Sequence, residues 1–404
     1  MKCVIFLGDG MADEPIAELG GKTPLEVAKH PNMDRIATDG VMGLSVTVPD
    51  NLPAGSDIAN LSIIGVDPSK CYTGRSPLEA VSMGVTLGEN DVTYRCNLVT
   101  LSDQKALTDR TMLDYSAGEI SSAEAEQLIA VMQQRFGSDR IEFHPGVSYR
   151  HCLVLRGGST GATLVPPHDI SGKRLGEAYI PQGVNHDLLL EMMAYSTEAF
   201  RNHPVNLARV AQGKNPATSV WFWGEGTRPK LHSFEKQFGL RGGMISAVDL
   251  LQGIGLSMGM KVIPVEGATG NYHTNFKGKG EAAIKAIQED CDFVYIHVEA
   301  PDECGHQGQL KEKIWSIEQI DSHIIGPVMA ALDQSGEDWA VMVAPDHPTP
   351  IALRTHTRTP VPFAYCRKGQ QGVQPRIYNE KTAQASGLFV PKAHELLGML
   401  LSGQ

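Results

Sequence analysis

Short, mainly apolar runs recur at residues 2–7, 293–298, 339–343 and 361–365, and each soon gives way to glycine, proline or a charged residue. Runs of this length with no polar alternation predict strands buried on both faces. Residues 219–223 and 261–265 read the same way. Apolar spacing near 3.6 residues predicts helices over 31–38, 58–64, 245–258, 280–286 and 310–332. Strands alternating with helices predict an α/β fold, a mostly parallel sheet sandwiched by helices.

The texture changes near Asp91. Residues 95–100 and 149–155 read as strands, and 185–200 as an amphipathic helix. Ser121 followed by Glu124 forms a capping-box signature for a helix running to Gly137. Residues 213–218 read as a linker. The simplest organisation is one domain made of residues 1–90 and 219–404, with a smaller α+β domain, 91–218, inserted. No internal repeat is evident.

Composition narrows the class. The 404 residues are 42% hydrophobic and 20% charged, with a formal net charge of −11. That is ordinary globular usage, and the length is ample for a large core. No Lys/Arg run marks a nucleic-acid or membrane-surface patch, so neither partner is expected. The apolar run Val4–Leu7 is too short for a signal-peptide core, and no stretch approaches a membrane span. Seven scattered cysteines without a Cys-x-x-Cys pair favour neither a disulfide framework nor a zinc-thiolate site. The chain reads as cytoplasmic, and the pattern carries no signal of oligomeric state.

The chemistry gathers after the predicted strands. Asp9, Asp302 and Asp346 each follow one, and in an open parallel sheet the ligand crevice lies outside the carboxyl ends of the strands. Three carboxylates delivered there repel one another unless cations lie among them. His306 comes four residues after Asp302, His347 directly after Asp346, and His356 ten after Asp346. Mixed imidazole and carboxylate donors suit Mn²⁺, Zn²⁺, Fe²⁺ or Co²⁺ better than Mg²⁺ or Ca²⁺. Six such donors exceed the needs of one ion, so two are implied, able to clamp a transferring phosphoryl group. Ser56 follows a glycine at a predicted helix start, where backbone N–H groups favour phosphate. Each feature alone has a plainer reading: Ser56-Asp57 as a helix cap, Asp346-His347 as a surface loop pair. Their joint order and spacing favour a metal-assisted phosphoryl-transfer site with Ser56 as nucleophile.

The segments Gly8-Asp9-Gly10-Met11, Pro53-Ala54-Gly55-Ser56-Asp57, Tyr72-Thr73-Gly74-Arg75-Ser76-Pro77, Asp302-Glu303-Cys304-Gly305-His306, Pro345-Asp346-His347 and His356-Thr357-Arg358-Thr359-Pro360 resemble those of the archaeal-type cofactor-independent phosphoglycerate mutases of the alkaline-phosphatase superfamily. The likeness covers essentially the whole chain. It implies two divalent ions of the Mn²⁺ class, with Zn²⁺, Co²⁺, Fe²⁺ or Mg²⁺ as substitutes. One ion would be held by Asp302, His306 and His356, the other by Asp9, Ser56, Asp346 and His347. It implies interconversion of 3-phosphoglycerate and 2-phosphoglycerate through a phosphoserine at Ser56, without bisphosphoglycerate, and an inserted domain that closes over the substrate.

A small phosphorylated hydroxy acid also calls for cations. Arg75, Arg95, Arg150, Lys230 and Lys279 are the candidates, the first three ranked higher. Asp114, His151 and Asp169 are candidates for proton transfer. One position departs from the family pattern: many such mutases carry histidine where this chain has Asn60. That form resembles a branch proposed to act as a homoserine kinase, which makes such a kinase, or a metal-dependent phosphomonoesterase, the alternative reading. No Gly-x-x-x-x-Gly-Lys-[Ser/Thr] loop is present.

Overall fold

The computed structural model describes residues 1–372 and 374–403. The chain divides into two compact units, residues 1–72 with 230–404, and residues 73–229.

The first unit is built on an eight-stranded sheet, in the order Lys261–Val262, Gly242–Ile245, Phe293–Val298, Lys2–Gly8, Trp339–Ala344, Val361–Arg367, Val41–Ser45, Phe389–Val390. The first five run parallel, Val361–Arg367 is antiparallel to both neighbours, and the last pair is parallel again. The three long central strands are buried along almost their whole length, as their unbroken apolar runs require. Helices on the faces bury Ile36, Ala283, Ile287, Ile317 and Val328 against Val4, Phe6, Val294, Ile296 and Val341. Register does the positioning: Leu7 lies opposite both His297 and Ala344. The three strands therefore end level, and the segments carrying Asp9, Asp302 and Asp346 leave from one edge.

Four elements differ from the sequence reading. Val41–Ser45 and Gly242–Ile245 are strands that their short, glycine-containing sequences concealed. The predicted helix over 245–258 accordingly begins only at Asp249. The stretch 310–332 is not one regular helix: Leu310–Gln319 and Gly326–Gln334 are α-helical, with a π-helical segment, Ile320–Ile325, between them. There Asp321 accepts the backbone N–H groups of Asn32 and Met33, capping the start of helix Pro31–Asp39.

In the second unit Val92–Leu101 is the central strand, antiparallel to Arg150–Leu155 on one side and Ser219–Thr227 on the other. The capping box at Ser121 and Glu124 forms and starts helix Ser122–Phe136. That helix and His186–Arg201 cover one face, burying Leu128, Ile129, Met132, Leu189 and Met193 with Tyr94, Cys96, Leu98 and Leu153. Helix Ser76–Ser82 belongs to this unit, ahead of the boundary expected at Asp91, because Ala80 packs with Cys152 and Val154. No helix among the described residues is long and apolar enough to cross a membrane.

Candidate active site

In the first unit the seven residues singled out above converge. Asp9, Asp302, Asp346 and His347 are buried; Ser56, His306 and His356 are half-buried. Ser56 opens helix Ser56–Ile63 after Gly55, and its Oγ lies 3.1 Å from His347 Nε2. That nitrogen is also 3.3 Å from Asp346 Oδ2 and 3.6 Å from Asp9 Oδ1. On the other side, His306 Nε2 and His356 Nε2 lie 3.3 Å and 3.4 Å from the two oxygens of Asp302. The rings of His347 and His356 stack with centroids 3.9 Å apart. Donor atoms of Asp9, Asp346 and His347 cluster closely enough for one cation, and those of Asp302, His347 and His356 for another.

The electrostatics are those of a cation site. Burial, reinforced by the charges of Asp346, Asp302 and Glu299, pushes the Asp9 carboxyl well above its ordinary value. Its Oδ1 is buried with no hydrogen-bond partner among the described residues, a costly state for a carboxylate oxygen. Burial works to raise Asp302 as well, but hydrogen bonds from His306 and His356 overcome it and hold this carboxyl well below the usual range. Burial works to lower His306, and Asp302 outweighs it, raising the imidazole to about 9. An orphaned carboxylate oxygen beside clustered imidazoles fits divalent cations.

Around these residues stands a further layer, of which sequence reasoning singled out only Asn60, as a departure from the family pattern. Asn60 Nδ2 donates to Asp346 Oδ2 (2.9 Å) and to the Ser56 carbonyl (2.8 Å), while its Oδ1 accepts from the Tyr295 hydroxyl (2.7 Å). Asn60 thus binds the helical turn that begins at Ser56 to the Asp346 carboxylate. Asp346 Oδ1 accepts the N–H groups of Gly10 (3.1 Å) and His347 (2.9 Å). His297 Nε2 donates to Asp9 Oδ2 (2.9 Å), and its Nδ1 lies 3.1 Å from Ser246 Oγ. Burial drives the His297 pKa down to about 3, keeping the ring neutral. The Thr349 hydroxyl donates to Asp302. Buried Lys313 donates to Asp13 (2.7 Å) and to the Thr349 carbonyl (2.8 Å), joining the loop after Asp9 to the loop after Asp346. A histidine inside the apolar strand Phe293–Val298 was a signal available in the sequence; the others show no comparable sign.

Three of the cation candidates meet in the second unit. Arg75 Nε and Arg95 Nε lie 2.8 Å and 2.7 Å from the two oxygens of Glu79. The Arg95 guanidinium also stacks over Trp223, 4.2 Å from the ring centroid. Burial would raise Glu79, but the charges of Arg95, Arg75 and Arg150 hold it below its ordinary value. Burial lowers Arg95 to about 10, with Glu79 opposing. Strand alternation sets Arg95 and Asn97 on the face opposite Tyr94, Cys96 and Leu98. Asn97 there accepts from Trp223 Nε1 at 3.0 Å. Three guanidinium groups around one carboxylate leave an excess of positive charge, suited to an anion.

The remaining candidates fall elsewhere. Lys279 is enclosed, donating to the His297 carbonyl at 2.9 Å, and burial lowers its pKa to about 8; it braces the strand bearing His297. Lys230 is exposed. Asp114 is spent on a turn, accepting from Ser116, Gly118 and Asn215. Asp169 is exposed on the short helix Pro167–Ile170. His151 pairs with Cys96 across the strands and so points to the helix-covered face, away from Arg95. Burial lowers it to about 3, so it is a core histidine.

Known proteins give this arrangement its context. A family model described as 2,3-bisphosphoglycerate-independent phosphoglycerate mutase matches residues 37–206. A Geobacter sulfurreducens relative is 49% identical over 402 residues, covering 99% of this chain and 100% of its own. A 2,3-bisphosphoglycerate-independent phosphoglycerate mutase of Methanosarcina barkeri is 46% identical over 408 residues, with 100% of each chain covered. Among solved structures, a Pyrococcus horikoshii protein superposes with a TM-score of 0.81 at 28% identity, covering 99% of this chain and 96% of its own. The cofactor-independent phosphoglycerate mutase of Thermoplasma acidophilum shares the fold, with a TM-score of 0.63 at 22% identity and coverage of 100% and 99%. Fold and sequence thus define a mutase-type α/β enzyme chain. It belongs to the 2,3-bisphosphoglycerate-independent phosphoglycerate mutase family.

Proposed function

We propose that the protein interconverts 3-phosphoglycerate and 2-phosphoglycerate, with Ser56 carrying the phosphoryl group between the two hydroxyls. The observation that carries this reading is Ser56 Oγ, 3.1 Å from His347 Nε2 at the first position of its helix, in a chain 46% identical to a Methanosarcina barkeri mutase over their full lengths. Ser56 attacks phosphorus, the ester bond to glycerate breaks, and the alkoxide so released takes a proton. The glycerate then turns, its other hydroxyl attacks the phosphoserine, and Ser56 is regenerated. No bisphosphoglycerate enters this sequence.

Asp302, His306 and His356 would hold one divalent ion, and Asp9, Ser56, Asp346 and His347 the second, with Mn²⁺ preferred by the mixed donor set. Such ions supply charge against the phosphoryl oxygens and make the serine hydroxyl easier to deprotonate. Asn60 fixes the turn that bears the nucleophile. Arg75, Arg95 and Arg150 are the proposed binders of the glycerate carboxylate, and residues 73–229 the unit that excludes water, which would otherwise turn transfer into hydrolysis. Asn60 finds a full set of partners here, so its departure from histidine needs no different acceptor. A cytoplasmic setting accords with seven buried, unpaired cysteines. The test is turnover of 3-phosphoglycerate by Mn²⁺-loaded enzyme without bisphosphoglycerate; negligible turnover by folded, loaded protein would remove the mutase assignment.

A further inference from the structure

Within residues 73–229 there is a second concavity, distinct in composition from everything assigned above. Leu101, Leu113 and residues of helices His186–Arg201 and Pro204–Ala211 line a cleft of about 550 Å³. Small-molecule sites run from roughly 300 to 1,000 Å³. Leu113, Leu207 and Val210 are 58%, 55% and 59% exposed, and all three lie on this cleft. Large apolar side chains exposed singly need no explanation; three around one concavity do.

The cleft also carries an unneutralised charge. Arg110, which lines it, is only 7% exposed. Its Nε donates to the Gln104 carbonyl (2.8 Å) and its Nη1 to Thr197 Oγ1 (3.0 Å). Both acceptors are neutral. Among the described residues no carboxylate pairs with Arg110, and its Nη2 has no protein acceptor. Buried arginines are almost always paired. The other charged residues of the cleft, Arg201 and Asp103, face each other at 3.7 Å. Asp103 disfavours a polyanion such as a phosphate ester, whereas the apolar walls favour a ligand with a hydrocarbon body.

We propose that this cleft binds a small aliphatic carboxylate, with its chain against Leu113, Leu207 and Val210 and its carboxylate on Arg110. The proposal does not rest on the mutase reading, since none of these residues belongs to that site. The test is calorimetric titration of the full-length protein with hexanoate, and with hexanol as the uncharged control. Saturable hexanoate binding is expected, with hexanol weaker by about tenfold or more, the worth of a charge-assisted hydrogen bond. Arg110→Gln should remove that difference. Val210→Asp, at an exposed position where the fold is insensitive, should weaken hexanoate by about fivefold or more through like-charge repulsion. Non-saturable hexanoate binding, equal binding of hexanol, or hexanoate affinity unchanged in Val210→Asp would each overturn the proposal. The hexanol comparison and Val210→Asp stand even if Arg110→Gln fails to fold.

Discussion

His306 Nε2 and His356 Nε2 lie 2.9 Å apart, brought together from segments fifty residues distant. The backbone carbonyl of Arg354 accepts from His306 Nδ1 at 3.0 Å, so in the neutral ring the lone pair is on Nε2. Two imidazole nitrogens at this separation need a shared proton or a cation. The second is favoured because Asp302 stands beside both.

His356→Ala is accordingly expected to weaken binding at the Asp302 side of the centre and to lower turnover by roughly 10²–10³-fold, several kcal/mol of charge stabilisation. Mn²⁺ titration of the variant would show the loss directly. Full-affinity binding of two ions would refute the assignment of His356.

Asn60→Ala removes the bonds to Asp346 and Ser56 and strands the Tyr295 hydroxyl. Loss of a group that orients a metal ligand typically costs about 10–100-fold in metal affinity, and that range is expected here. Tyr295→Phe should show the same effect more weakly, about 1 kcal/mol. Unchanged Mn²⁺ affinity in Asn60→Ala would mean that Asn60 only packs.

Arg150→Gln, at an exposed position, should raise KM for 3-phosphoglycerate by about 10-fold or more, the value of one hydrogen bond between charged groups. The kcat should change less. A variant with wild-type KM would remove Arg150 from the substrate group.

His151 gives a pH signature. Its Nδ1 accepts the Gly146 N–H at 3.1 Å, and burial lowers its pKa to about 3, against about 6.5 when unfolded. The unfolded chain therefore binds the extra proton between pH of about 6.5 and 3, so its stabilising contribution is complete above that window and is lost as pH falls through it. The slope from this one group is at most about 1.4 kcal/mol per pH unit. His151→Gln should flatten the fall in melting temperature between pH 7 and 5; an unaltered profile would assign the acid sensitivity to other groups.

How much of this was legible follows from where the information lies. The central strands announced themselves, because a strand buried on both faces must be apolar at every position. Val41–Ser45 and Gly242–Ile245 did not, being short and weakened by glycine. That Asp9, Asp302 and Asp346 come together was readable because register delivers the ends of adjacent strands to one edge. Tyr295, Thr349 and Lys313 were not, since their roles exist only through partners distant in sequence. Lys279 and His151 mark the same limit from the other side: residue type suggested chemistry, and burial decided against it.

The central claim is that the phosphoryl group passes through Ser56. The most direct measurement compares conversion of 3-phosphoglycerate to 2-phosphoglycerate by Mn²⁺-loaded wild type and Ser56→Ala, without bisphosphoglycerate. The wild type is expected to turn over at about 1 per second or faster, within the ordinary enzyme range. The variant should fall to background while still binding Mn²⁺ through Asp302, His306 and His356. Wild-type turnover in Ser56→Ala would contradict the phosphoserine route.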